Sequence, residues 1–286
     1  MHGRPPSAPR PPRAPALPPP AETARDAAPR RNSEEMRIYG INACLALFQR
    51  RPDDVRKVYL LESRLGTLKP VLAWCVEKRL GYRVVGNADL DKLTQSQHHE
   101  GVCFEVRRRP LLSLSTLLQR LPPPKPVLLV WLDGVGNPHN FGAVLRSAAN
   151  FGVNGLILAR ESALNVSGAA LRVAEGAAEA VPIAQTAPGE DVFGALRNAE
   201  IETVATVPRA GESLYAATLP DRVVFVLGAE GSGLRQALVD RAGRHVTIPG
   251  SGAVESLNVA ASAAVLFGEW YRQQVAGAER KNFRKR

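Results

Sequence analysis

Cysteine is scarce in this chain, with only Cys44, Cys75 and Cys103 among 286 residues. The number is odd, the spacing wide and the neighbours apolar, which argues against a disulfide framework and for reduced core thiols. Metal ligands are equally thin. His98 and His99 in "QSQHHEG" have no third ligand at suitable spacing, so no metal site is expected. No apolar run approaches the roughly 20 residues of a membrane helix, and no apolar h-region follows Met1. A membrane or secretory role is therefore not expected, and the cytoplasm is the default compartment. Neither nucleotide fingerprint is present: the glycines of "LGAEGSGL" read G-x-x-G-x-G, and G-x-x-x-x-G-K-[ST] occurs nowhere. Rossmann and P-loop chemistries are thus disfavoured. No internal repeat is visible.

What is present divides unevenly along the chain. Ten of the 23 prolines lie between Pro5 and Pro29, where Leu17 is the one large aliphatic residue. Such a segment buries too little surface to offset its ordering entropy, so residues 1–34 are expected to be a disordered Pro/Arg-rich tail. The net charge of +10 is also unequal: +2 over residues 1–36, +3 over 37–106, +5 over 107–125, −5 over 127–279 and +5 over the last seven. A neutral-to-acidic body with basic appendages, Arg107, Arg108 and Arg109 among them, suits a polyanionic partner such as nucleic acid. The remaining 45% hydrophobic content allows two cores.

The segment "RRRPLLSLSTLLQRLPPPKP" separates those cores, because its proline cluster fits neither a helix interior nor a central strand. Residues 107–126 are read as a basic linker, with "LLSLSTLLQRL" a short helix between the domains. Before it, "VRKVYLL", "GYRVVG" and "GVCFEV" read as strands and "GINACLALFQR" and "LKPVLAWCVEKRL" as amphipathic helices. Residues 35–106 thus form a small α/β domain. After it, "PVLLVWLDGV", "GLILA", "IETVATV", "RVVFVLGAE" and "HVTIPG" are apolar strands between helical patterns, as in a parallel sheet covered on both faces. This larger domain spans 127–275, and 276–286 is a basic tail.

Ligands of such a sheet bind beyond the carboxyl ends of its strands. Three polar features fall there. Asn140 and Arg146 stand in "NPHNFGAVLRSAANFG". Gly228, Gly231 and Gly233 surround Glu230 in "FVLGAEGSGL". Ser256 and Asn258 precede the helix of "IPGSGAVESLNVAASAAVL", and a plain N-cap accounts for only one of the two.

Together these three blocks resemble the SpoU/TrmH branch of the SPOUT methyltransferases over residues 127–275. "IYGINACLALF" and "KLTQSQHHEGVCFEV" resemble the small RNA substrate-binding domain that often precedes it, and "AEGAAEAVP" resembles the segment between the first two blocks. The resemblance implies an α/β fold with a carboxyl-terminal trefoil knot cradling S-adenosylmethionine, homodimers, and methylation of a ribose 2′-hydroxyl in structured rRNA or tRNA. It implies that Gly228, Ile248, Leu257 and Asn258 bind the cofactor, with Glu230 and Ser256 in the same pocket and Asn140 and Arg146 toward substrate. Asn140, Arg146, Glu230, Ser256 and Asn258 are thereby the candidate catalytic set. Gly250 stands where the family more often has Met, and "NVAASAAVL" is poorer in β-branched residues than usual; both bear on cofactor affinity. An RNA-binding member with weakened catalysis and a base methyltransferase remain alternatives.

In physical terms, Arg146 cannot be a simple base, because a guanidinium is always protonated and has no acceptor. Clamping a phosphate and stabilising a forming alkoxide suit it better, with the phosphate or Glu230 taking the proton. Otherwise Arg146 pairs with an acid such as Asp133 or Glu230. His139, beside Pro138, reads as an exposed turn residue.

Overall fold

A computed structural model describes residues 34–160, 162, 164 and 166–283, with side chains as far as residue 274. The expected amino-terminal tail lies outside these residues except for Glu34.

The small domain follows the order β1 (Glu35–Tyr39), α1 (Ile41–Arg50), β2 (Val55–Leu60), α2 (Lys69–Glu77), β3 (Tyr82–Val84), α3 (Asn87–Thr94) and β4 (Val102–Arg107). Its strands order as β1-β4-β2-β3, antiparallel except for β2 with β3. Alternate residues of β2 and β4 point to opposite faces. Val58, Leu60, Phe104 and Val106 meet α1 and α2 through Leu47, Val71 and Cys75. Tyr59 and Cys103 meet Leu90 of α3. All three cysteines are free and buried, as expected. His99 is 2% exposed. Its Nδ1 accepts from the Gly101 N–H at 3.0 Å and its Nε2 lies 3.2 Å from Asp91, so it holds a turn.

Next come β5 (Leu112–Ser113), α4 (Leu114–Gln119), β6 (Val127–Leu132), α5 (Pro138–Asn150), β7 (Gly155–Leu158), α6 (Gly168–Ala174), β8 (Ile183–Gln185) and α7 (Val192–Asn198). They are followed by β9 (Glu202–Thr206), β10 (Glu212–Ser213), β11 (Arg222–Leu227), α8 (Gln236–Arg241), β12 (Arg244–Thr247) and α9 (Val259–Phe283). Eight strands order as β10-β12-β9-β11-β6-β7-β8-β5, every pairing parallel. The unbroken apolar runs of β6 and β11 follow from burial on both faces. Leu128, Val130, Leu132 and Phe225 pack against α5, α6 and α9. Val127, Leu129, Trp131 and Val224 pack against α4 and α7. Each fully buried side chain of this size contributes about 1.5–3 kcal/mol.

Several expectations change here. The helix expected between the domains, α4, instead buries Leu114 and Leu117 against the larger sheet, and β5 extends that sheet's edge. Arg222, only 8% exposed, staples the end of this stretch. Its guanidinium donates to the carbonyls of Lys125 (2.7 Å), Leu121 (2.8 Å) and Ala199 (2.9 Å). Much of the segment read as a basic tail is helical, since α9 runs to Phe283. Ala, Glu, Arg and Lys in that stretch are strong helix formers.

Arg107 and Arg109, read as polyanion contacts, converge on Asp54, which is fully buried. Arg107 Nη2 stands 2.7 Å and Arg109 Nε 2.5 Å from its oxygens, and Arg51 Nη1 3.1 Å. Burial by itself would raise this carboxyl, but hydrogen bonds from Arg107, Arg51 and Arg109 outweigh it and hold the group below the usual carboxylate range. An unpaired buried carboxylate would be too costly, which is why these arginines turn their guanidinium groups onto it from the surface.

Arg51 also joins the two domains, with Nη2 2.7 Å from Glu179 Oε1 and Nε donating to Oε2 at 2.9 Å. Arg172 pairs with Glu100 at 2.9 Å, and Asn42 Nδ2 donates to Glu175 Oε2 at 2.5 Å. Leu171 of α6 enters the small domain's core. The "AEGAAEAVP" stretch is therefore largely an interdomain surface.

Candidate active site

The loop leaving β11 is shaped by its glycines. A Cβ on Gly228 would stand 2.2 Å from the Gly233 carbonyl carbon, so only glycine lets the chain fold back there. Gly231 (φ 86°) and Gly233 (φ 67°) take left-handed conformations, and the Gly233 N–H donates to Ala229 O at 2.9 Å. Asp133, 3% exposed at the end of β6, secures the loop's exit. Its Oδ1 lies 2.7 Å from Arg235 Nη2, and its Oδ2 accepts from Arg235 Nε at 3.1 Å. Glu230 is thus carried on a tight, pinned turn.

Asn258 receives that carboxylate. Its Oδ1 accepts from the Ala260 N–H at 2.8 Å, capping α9, which frees its amide nitrogen for other partners. That nitrogen donates to Asn140 Oδ1 at 3.0 Å and to Glu230 Oε1. The Val259 N–H donates to Glu230 Oε1 as well, at 3.4 Å. A carboxylate at the first turn of a long helix is also favoured by the helix dipole. Asn140 itself sits on the first turn of α5, whose cap Asn137 accepts from the His139 N–H at 2.8 Å. His139 is exposed, on this first helical turn rather than in a free turn.

Beside the cluster lies a cavity of about 430 Å³. Residues 247–252 and 254–257 form its walls with Pro208 and Arg209 from the loop after β9. Ile248, Ser256 and Leu257 are on the wall, and Asn258 follows directly. The volume lies in the range of small-molecule sites. Leu257 (45% exposed) and Val254 (72% exposed) present apolar surface that a ligand would cover. A Cβ at Gly250 or Gly252 would meet nothing within 4 Å, so the wall is open there.

The structure brings Asn140, Glu230 and Asn258 into contact and sets Ile248, Ser256 and Leu257 around one cavity. Gly228 is not on that wall; its close approach is to its own loop. Arg146 stands apart, 65% exposed in its side chain, with Nη1 3.8 Å from Glu175 Oε1. Neither of its anticipated acids is engaged with it, since Asp133 holds Arg235 and Glu230 holds Asn258. Sequence reasoning did not single out the Asp133–Arg235 pair, Glu175 or Arg209. An acid at a strand end beside a glycine turn was a visible signal for the first; Glu175 lay in the marked "AEGAAEAVP" stretch, and Arg209 carried no signal.

An all-parallel sheet with a ligand-sized cavity and a polar cluster beyond its carboxyl ends, joined to a small appended domain, defines a two-domain α/β ligand-binding protein. The chain belongs to the SpoU rRNA methylase family, which matches residues 127–268, and residues 37–111 match the RNA 2′-O ribose methyltransferase substrate-binding family. It is 38% identical over 250 residues to the uncharacterized tRNA/rRNA methyltransferase YfiF of Escherichia coli O157:H7, covering 86% of this chain and 71% of that one. It is 33% identical over 241 residues to the 23S rRNA (guanosine-2′-O-)-methyltransferase RlmB of Pectobacterium atrosepticum, covering 83% and 98%. The fold is shared with the SpoU methyltransferase AviRb of Streptomyces viridochromogenes in complex with AdoMet. That likeness has a TM-score of 0.70 at 24% identity and covers 85% of this chain and 91% of that one.

Proposed function

We propose that this protein transfers a methyl group from S-adenosylmethionine to a ribose 2′-hydroxyl of structured RNA, either rRNA or tRNA. The observation that carries the reading is the junction at Asn258, which draws Asn140 and Glu230 together beside the cavity. Ile248, Ser256 and Leu257 would hold the cofactor, which supplies the electrophilic methyl group when bound.

The chain's own residues divide the remaining work. Asn258 uses its amide nitrogen on both neighbours, so Asn140 has its oxygen occupied, while among the described residues no hydrogen bond engages its Nδ2, which can donate to the ribose. Glu230 has Oε1 occupied in the same way, leaving Oε2 to accept the hydroxyl proton. Arg146 keeps its charge and its fork geometry for a phosphate and for the developing oxyanion. Its exposure, away from the Asn258 cluster, supports a homodimer in which a second copy completes the site. The carboxyl-terminal trefoil knot expected from the family belongs to the same reading. Three buried thiols suit a reducing compartment such as the cytoplasm. No helix among the described residues is long and apolar enough to cross a membrane.

The test is to map 2′-O-methyl sites in total RNA from cells with and without the gene, then to methylate the identified RNA with purified protein. Arg146→Ala should slow single-turnover methylation by about 2.7–4 kcal/mol of barrier, in line with removal of one oxyanion donor, while cofactor binding is unchanged. No lost methyl in the cells and no transfer in vitro would overturn the assignment.

A further inference from the structure

We propose that Arg209 recognises the carboxylate of the cofactor's amino-acid moiety, and so selects the complete S-adenosyl amino acid over truncated nucleosides. The inference rests on the cofactor reading above and deepens it.

Among the described residues, only two charged side chains line the cavity, Arg209 and Glu255. The expected ligand carries an ammonium, a sulfonium and a single carboxylate, and Arg209 is the one cationic group on this wall able to meet that anion. A guanidinium fork matches a carboxylate in two parallel hydrogen bonds. Glu255 has the sign suited to the ammonium.

The loop that carries Arg209, between β9 and β10, is held in place although its surface is exposed. The Val207 N–H donates to Val246 O at 2.9 Å, the Gly211 N–H to Thr247 Oγ1 at 3.0 Å, and the Leu214 N–H to Thr247 O at 2.9 Å. Between these anchors Ala210 is forced to φ 62°, a left-handed conformation that is unfavourable for a residue with a Cβ. Ala210 adjoins Arg209, so this conformation fixes the backbone that carries the side chain on the cavity wall.

Several other arginines of the domain are committed elsewhere. Arg172, Arg235, Arg241, Arg244 and Arg272 each form an ion pair within the chain. Among the described residues no hydrogen bond or ion pair engages the Arg209 guanidinium, so its donors are available to an incoming anion.

Calorimetry on the full chain decides the matter with two probes. S-adenosylhomocysteine has the amino-acid end; 5′-methylthioadenosine keeps the adenosine and the sulfur but lacks it. Arg209→Gln should weaken S-adenosylhomocysteine roughly tenfold to a hundredfold, the usual range for a hydrogen bond to a charged group, and leave 5′-methylthioadenosine unchanged. Arg209→Lys should fall between, keeping the charge but losing the fork. An unchanged affinity for S-adenosylhomocysteine, or equal weakening of both probes, would overturn the role of Arg209 while sparing the cofactor reading. A wild-type protein that binds neither probe would overturn the cofactor reading, and this inference with it.

Discussion

Asn258 performs two tasks with two different atoms, and one substitution separates them. Its Oδ1 caps α9 by accepting from the Ala260 N–H, whereas its Nδ2 donates to Asn140 and Glu230. Asn258→Ala removes both. Loss of a helix N-cap costs about 1 kcal/mol, which lowers the melting temperature of a chain of this size by about 2–4 °C. Asn258→Asp keeps an oxygen for the cap and improves it through the helix dipole, so that part of the stability should survive. The aspartate, however, turns an acceptor toward the Asn140 oxygen and a second negative charge toward Glu230. The hydrogen bond lost to a charged group is worth about 1.5–3 kcal/mol, a factor of roughly 10 to 150 in rate where it orients reacting groups. The assay is single-turnover methylation beside thermal unfolding on the same three preparations. The expected order is wild type, then Asp, then Ala for stability, with Asp and Ala both slow. An Asp variant that methylates at the wild-type rate would refute the orienting role of Nδ2. An Asp variant as unstable as Ala would refute the separation of cap from cluster.

Two further outcomes follow from buried groups. Asp54→Asn should cost about 2 kcal/mol of stability, below the figure for a fully buried pair because Arg107 and Arg109 are more than half exposed. Because the folded carboxyl is held low, its contribution is complete above the unfolded value near 3.9 and disappears as pH falls through the folded one. The gap between wild-type and variant urea midpoints should therefore be constant near neutrality and close below about pH 4; a gap that persists in acid would contradict the assignment. Burial pushes the Cys103 thiol up to about 12, Cys44 well above its ordinary value and Cys75 up as well. Reaction with a thiol reagent at pH 8 should be negligible in the native protein and complete in urea, because the thiolate is the reactive form. Rapid labelling of the native protein would show that one of these cores opens readily.

The sequence alone determined the two α/β domains, the parallel sheet and the identity of the three polar loops. Those features are local: apolar runs such as those of β6 and β11 declare burial on both faces, and glycine turns declare where strands end. The very short strands β5, β8 and β10 were not legible, since two or three residues carry little periodicity; β5 and β10 exist because the sheet edges accept them, and β8 because it lies between β7 and β5. Nor was the fate of Arg107 and Arg109, which read as free basic charge until the fold buried Asp54 beneath them. The same limit governs the site. Sequence could name Asn140, Glu230 and Asn258, but their contact spans separations of 118 and 28 residues and depends on how α5, the loop after β11 and α9 are laid together. Arg146 shows the converse, a residue marked by its place in a motif that the tertiary structure sets beside Glu175 and away from the cluster. Side-chain chemistry is written in the chain, whereas which charges end up facing one another is decided by the packing of segments far apart in it.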